Sequence, residues 1–121
     1  MALPSRVLGS GVNSLSTVAI CGEGMDGITA IGSSRSDAYQ ITSIYNSVDT
    51  TPAGTGVLLP ATEMGATIYI ANSGASTLKV YPYESTTTIN GSTSATIDKD
   101  HVSIFFAVTN TIWYSINGTK T

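Results

Sequence analysis

Apolar and polar positions alternate with a period of two along much of this chain, and turn residues cut the alternation at intervals of roughly ten residues. In residues 39–46, Tyr39, Ile41, Ser43 and Tyr45 alternate with Gln40, Thr42, Ile44 and Asn46, which predicts a strand. Thr51-Pro52-Ala53-Gly54 predicts a turn, and residues 56–59 a short apolar strand that Pro60 ends, because proline cannot donate to a ladder. Residues 66–71 (ATIYIA) read as a strand bounded by Gly65 and closing on a tight hairpin loop at Asn72-Ser73-Gly74. The hairpin partner is 78–81, with Leu78 and Val80 on one face and Pro82 as its stop. Ile89-Asn90-Gly91 is a turn, 95–97 a short strand, and Asp98-Lys99-Asp100 a charged turn. In the strand that follows, Val102, Ile104, Phe106 and Val108 share one face and Ser103, Phe105 and Ala107 the other, so both faces are largely apolar. A loop at Thr109-Asn110 leads to a strand over 112–116, where Trp113 lies between Ile112 and Tyr114, and Asn117-Gly118 ends the pattern.

Toward the N-terminus, Leu15, Val18, Ala19 and Ile20 predict a short strand running into the glycine-dense loop CGEGMDG, and residues 28–37 a brief irregular element. Residues 1–12 read as an extended arm: Pro4, Gly9, Ser10 and Gly11 prevent regular structure, while Leu3, Val7 and Leu8 give it something to bury. Such an arm docks on a neighbour, and Leu3, Pro4, Val7 and Leu8 are the residues expected to make that contact; a frayed terminus is the alternative. The organisation predicted is an arm over 1–12 and one β-domain over 13–121. Its fold is all-β, a small antiparallel sandwich or barrel of jelly-roll-like form.

Composition narrows the function. The chain has 121 residues, enough for one modest core. Only 11% are charged and the formal net charge is -3, so no basic stripe awaits a phosphate backbone and no nucleic-acid partner is expected. No apolar run approaches the roughly 20 residues of a membrane span, and the first residues hold no secretory h-region, so synthesis in a cytoplasm and no membrane partner are expected. The single Cys21 cannot form an internal disulfide and reads as a small buried side chain.

Gly22, Gly24 and Gly27 spell G-x-G-x-x-G, with Asp49 about twenty residues beyond. The dinucleotide motif needs a helix facing the pyrophosphate, and Gly32, Ser33 and Ser34 break any helix there, while Glu23 and Asp26 would repel phosphates. His101 with Asp98 or Asp100 could orient a serine nucleophile, but a histidine opening a strand after a charged turn needs no such role. Metal-ligand spacing is absent, since Cys21 and His101 are far apart and Lys99 separates the two aspartates. Glu23, Glu63 and Glu84 are glycosidase candidates by type alone. Asn90-Gly91-Ser92 and Asn117-Gly118-Thr119 match the glycosylation pattern but read as turns. No catalytic residue, metal or cofactor is therefore expected. The six tyrosines, Tyr39, Tyr45, Tyr69, Tyr81, Tyr83 and Tyr114, on a Ser/Thr-rich surface suit a permanent protein interface better than a pocket.

Four segments carry a resemblance: TVAICGEG, VLLPATEMGATIYIANSG, LKVYPYESTTTING and VSIFFAVTNTIWYSI. Their succession, with a Leu-Pro before a glycine turn, an Asn-x-Gly loop, a Val-Tyr-Pro strand, an Ile-Asn-Gly turn and a closing aromatic strand, resembles a recurrent β-domain of tailed-phage structural proteins from about Ser16 to Ile116. The first twelve residues lie outside the match. The resemblance implies a decoration (cement) protein, a homotrimer on the outer surface of the virion head with the major capsid protein as its partner. The alternative is a receptor- or glycan-binding module of a tail fibre, head fibre or adhesin, its partner a host-surface glycan.

Overall fold

A computed structural model describes residues 23–119, and every regular element among them is a strand. In chain order these are β1 (Gly24–Thr29), β2 (Tyr39–Gln40), β3 (Tyr45–Thr50), β4 (Gly56–Leu58), β5 (Thr67–Asn72), β6 (Leu78–Tyr81), β7 (Thr88–Ile89), β8 (Ala95–Ile97), β9 (His101–Thr109) and β10 (Ile112–Thr119). Successive strands up to β8 fall alternately into two sheets: a six-stranded one ordered β1-β3-β5-β9-β10-β7 and a four-stranded one ordered β2-β4-β6-β8.

The all-β expectation holds, but the antiparallel sandwich or barrel does not. β1, β3 and β5 run parallel to one another in the large sheet, as do β2, β4 and β6 in the small one. The chain therefore winds as a solenoid-like coil. Gly24, Tyr45 and Tyr69 stack at successive levels on one side, and Tyr39, Val57 and Val80 on the other, so a coil takes roughly twenty residues. The winding then reverses: β8 pairs antiparallel with β6, and β9 antiparallel with both β5 and β10. The sheets are mixed as a result.

Side chains from both sheets meet in one core that includes Val48, Val57, Ile70, Leu78, Ile97, Phe105 and Trp113. Asn72 shows how the corners between sheets are made. Its side chain is fully buried; Nδ2 donates to the carbonyls of Ser76 at 2.9 Å and Ile97 at 2.8 Å, and Oδ1 accepts from Gly74 N–H at 3.0 Å. Asn72-Ser73-Gly74 is therefore a corner rather than a tight hairpin loop. β5 and β6 do not pair with each other; each pairs with the strand of the coil before it. Gly74 allows the corner to close, since a Cβ there would lie 2.0 Å from Thr51 Oγ1.

Other boundaries shift for similar reasons. Residues 39–46 are not one strand: β2 and β3 belong to different sheets, and a corner separates them. The segment read as a glycine-dense loop contributes Gly24 to Gly27 to the edge strand β1. Asn117-Gly118 does not end β10, because both residues pair with β9 opposite Ser103 and Val102. The turn at Ile89-Asn90-Gly91 holds, with Asn90 at φ 54° and Gly91 at φ 80° and reciprocal hydrogen bonds between Ile89 and Ser92. The arm over 1–12, its contact residues Leu3, Pro4, Val7 and Leu8, the strand expected at Leu15 to Ile20, and Cys21 lie outside the described residues.

Candidate interaction surface

β9 is the longest strand, and it buries the face with the smaller side chains. Ser103, Phe105 and Ala107 point into the core, while Val102, Ile104, Phe106 and Val108 stand on the outer side. Registry extends this outer face over four adjacent strands. Tyr45, Tyr69, Ile104 and Ile116 form one row across β3, β5, β9 and β10. Thr67, Phe106 and Tyr114 form the next. On the other side of the first row, Ser47, Ala71, Val102 and Gly118 make a row of smaller residues.

The outer face is aromatic at both ends and carries no charged side chain in these rows. The rings of Tyr45 and Tyr69 stack with centroids 4.8 Å apart, and Phe106 and Tyr114 lie tilted at 6.2 Å. Ile116 is 60% exposed, Tyr114 45% and Val108 43%, at positions where a solvent-facing strand ordinarily carries polar residues. Tyr45, Tyr69, Ile104 and Phe106 beside them are half-buried, and exposed Asp49 stands next to Ser47 on the same side of β3; a clustered apolar surface marks an interaction site more often than a scattered one does.

A second cluster joins the end of the coil to β10. Trp113 is fully buried and its Nε1–H donates to Thr62 Oγ1 at 3.0 Å. Thr62 in turn donates its hydroxyl to Glu84 Oε1 at 2.6 Å and its N–H to Glu84 Oε2 at 3.0 Å, and Thr87 Oγ1–H adds 3.1 Å to Oε1. Desolvation pushes the Glu84 carboxyl up, but the Thr62, Glu84 and Thr87 hydrogen bonds outweigh it and hold it below the ordinary carboxylate range. An open cavity of about 360 Å³ adjoins the cluster, lined by residues including Arg35, Tyr81, Glu84 and Thr93. Arg35 Nη1 donates to the Tyr83 carbonyl at 2.8 Å and Tyr81 OH to the Ser33 carbonyl at 3.2 Å, while Asp37 Oδ1 gathers Ser33 N–H, Ser34 N–H and Ser34 Oγ–H. The Ser34 N–H, followed by the Ser34 hydroxyl, holds the Asp37 carboxyl below its ordinary value.

Among the described residues, those singled out for chemistry do not assemble into a site. Nδ1 of His101 lies 2.9 Å from the Lys99 carbonyl oxygen, so it serves the turn instead of the carboxylate of Asp98 or Asp100. Asp98 accepts a long contact from Thr77 Oγ1 at 3.5 Å, and Asp100 takes a left-handed backbone at φ 63°. Glu23 and Glu63 are exposed; the Glu23 carbonyl accepts from Ile44 and Tyr45 N–H at the start of β3 and the Glu63 carbonyl from Ala66 N–H, while Glu84 spends both carboxylate oxygens on Thr62 and Thr87. Gly24 and Gly27 sit in β1, with no helix after them. Among the described residues no three of His, Cys, Asp and Glu come together as a metal site would need. Asn90 uses its side chain to bond Ser115 at both the hydroxyl (2.8 Å) and the backbone N–H (3.0 Å), which ties the turn to β10.

The outer face was half legible. The alternation of β9 shows two apolar faces, but which one is buried depends on the facing sheet. Its continuation to Tyr69 requires the antiparallel pairing of β9 with β5, and on to Tyr45 the parallel pairing of β5 with β3. A scan against protein-family models finds no match, and a search of curated proteins finds no similar sequence.

Proposed function

We propose that this chain is a structural virion component, a decoration protein that binds the outside of a phage capsid and stabilises it, with the major capsid protein as its partner and the homotrimer as its assembled form. The observation that supports this most is the largely apolar outer face of β5, β9 and β10, whose registered rows hold tyrosine, phenylalanine and isoleucine side chains and suit burial against protein. A decoration protein needs rigid, shape-matched contacts repeated over a shell, and an oligomer engaging several capsid sites gains avidity because its later contacts are intramolecular. A β coil with one continuous core supplies such a scaffold. The reading assigns no chemistry to His101, Glu23, Glu63 or Glu84.

The test is to mix the purified protein with expanded heads that lack it and to sediment them. Saturable co-sedimentation is expected, and protein left in the supernatant at micromolar concentration overturns the reading. One observation favours a second reading, the glycan-binding module of a fibre or adhesin: the open cavity beside Arg35 combines a cation, a tyrosine and hydroxyl-bearing residues. Saturable binding to host cells that is lost in Arg35→Ala, with heads ignored, would select it.

A further inference from the structure

We infer that the open edge of β2 in the small sheet is covered by residues 17–20 of the same chain, running parallel to β2 with Val18 beside Tyr39 and Ile20 beside Ile41. The inference goes beyond the capsid reading and does not depend on it.

Among the described residues β2 pairs on one side only, with β4, so the coil has an uncovered first level. The Ile41 N–H donates to the Leu58 carbonyl at 2.8 Å on the β4 side. Successive N–H groups of a parallel strand point to opposite sides, so the Gln40 N–H points to the open side. An open edge of this kind is a template for any strand that reaches it, and coiled folds cover their terminal level. Ser43, at the corner after β2, is buried, and its Oγ has no hydrogen-bond partner among the described residues. Met25 and Ile31, on the same level of the coil, are exposed apolar side chains.

Three observations select the chain's own residues as the cover. The first is alternation. Strands from β1 to β8 fall in turn into the large and the small sheet, and β1 is in the large one, so a strand before it belongs to the small sheet beside β2. The second is register. Gly24 pairs with Tyr45 and Met25 with Asn46, each 21 positions on. One residue earlier, the Glu23 carbonyl accepts from the Ile44 and Tyr45 N–H groups at 3.0 Å each, so the chain already stacks on this corner. Carried further back, the same offset sets Gly22 beside Ser43, Ile20 beside Ile41 and Val18 beside Tyr39. The Gly22 backbone then brings polar groups to the unpaired Ser43 hydroxyl. A second chain would have to enter at a corner that Glu23 occupies.

The third is the side-chain pattern. The inward rows of the small sheet are Tyr39-Val57-Val80 and Ile41-Leu59, all in the core or packed against it. Val18 and Ile20 continue both rows, while Thr17 and Ala19 fall beside Ala38 and Gln40. A slip of one residue would turn Thr17 and Ala19 inward instead.

The full chain carries its own probe, the single Cys21. The offset sets it beside exposed Thr42, at an inter-strand spacing of about 4.8 Å that a disulfide can bridge. Under mild oxidation Thr42→Cys is expected to lose both free thiols while staying at the 12.5 kDa chain mass. Lys79→Cys, an exposed change on β6, should keep both thiols free. In hydrogen exchange the Gln40 amide of the unmodified protein should be protected, and Ile20→Asp should speed its exchange by about tenfold or more. The amides of β5 and β9 should keep their protection, which shows that the variant is folded. If Ile20→Asp unfolds, the thiol result and the exchange of the unmodified protein decide. Free thiols in Thr42→Cys, a disulfide that joins two chains, or equal oxidation of Lys79→Cys overturns the inference. So does a Gln40 amide that exchanges as an open N–H in the unmodified protein, or one whose protection survives in folded Ile20→Asp.

Discussion

Replacing Glu84 by Gln probes the cluster that fastens the coil to β10. The carboxylate accepts three hydrogen bonds, from Thr62 Oγ1–H, Thr62 N–H and Thr87 Oγ1–H, and Thr62 also accepts the indole N–H of Trp113. An amide has one acceptor oxygen. If that oxygen faces the two hydroxyls, the new NH₂ is set against Thr62 N–H; if it faces Thr62 N–H, the hydroxyls must turn round. At least one charge-assisted bond is lost, which is worth about 1.5–3 kcal/mol when buried. Glu84 is only half-buried, so solvent takes up part of the loss and about 1–2 kcal/mol is the expected cost.

The pH dependence has a definite sign. The folded carboxyl is held below its ordinary value, so its contribution is complete above the unfolded Glu value of about 4.3 and is lost as pH falls through the lower folded value. The assay is urea unfolding followed by fluorescence of Trp113, the single tryptophan, whose indole sits in this cluster. With a slope of about 1–1.5 kcal/mol per molar urea, Glu84→Gln should lower the midpoint by about 1 M at pH 7, and the gap should close progressively below about pH 4. A gap that is absent at pH 7, or that widens in acid, would refute the role given to this carboxylate.

Three other substitutions test the winding and the proposal that His101 serves its turn. Asn72→Ala removes the partners of the Ser76 and Ile97 carbonyls and of Gly74 N–H at a fully buried corner, and should cost about 3 kcal/mol or more by denaturant unfolding; a loss under about 1 kcal/mol contradicts the corner's construction. Gly74→Ala drives a methyl into Thr51 and should destabilise by about 1–3 kcal/mol in the same assay, whereas a neutral outcome would mean the corner is not closed as described. His101→Gln should change stability by no more than about 0.5 kcal/mol and leave head binding intact; a selective loss of any hydrolytic activity on host wall material would revive a catalytic reading.

The existence of β4, β5, β6, β8, β9 and β10 was legible because alternation and punctuation are local, whereas β1 was read as a loop and β2 and β3 as one strand. β4 stops before Pro60 and β6 before Pro82, as proline's missing donor requires, and the left-handed pair Asn90-Gly91 makes the turn its composition predicts. Strand partnership was not legible. Short strands separated by turn residues fit an antiparallel meander and a coil equally well, and the deciding contacts are distant: Asn72 bonds Ile97, and Tyr45 meets Tyr69. The coil also leaves no repeat in the sequence, because corners of unequal length move the register from Tyr39–Val57 to Val57–Val80 without recurring residue identities. The Glu84 cluster was seen only as a carboxylate of the right type. Its ties to Thr62 and Trp113 cross from one loop to another strand, and no spacing rule encodes them. The two apolar sides of β9 were visible, yet the direction in which each faces is set by the small sheet packed behind Phe105.

The proposal that this chain strengthens a capsid from outside is tested most directly by DNA retention in heads heated with and without saturating protein. Heads carrying the protein should keep their DNA to a higher temperature, with the protection saturating as the binding sites fill. Identical release curves, despite demonstrated binding, would contradict the claim.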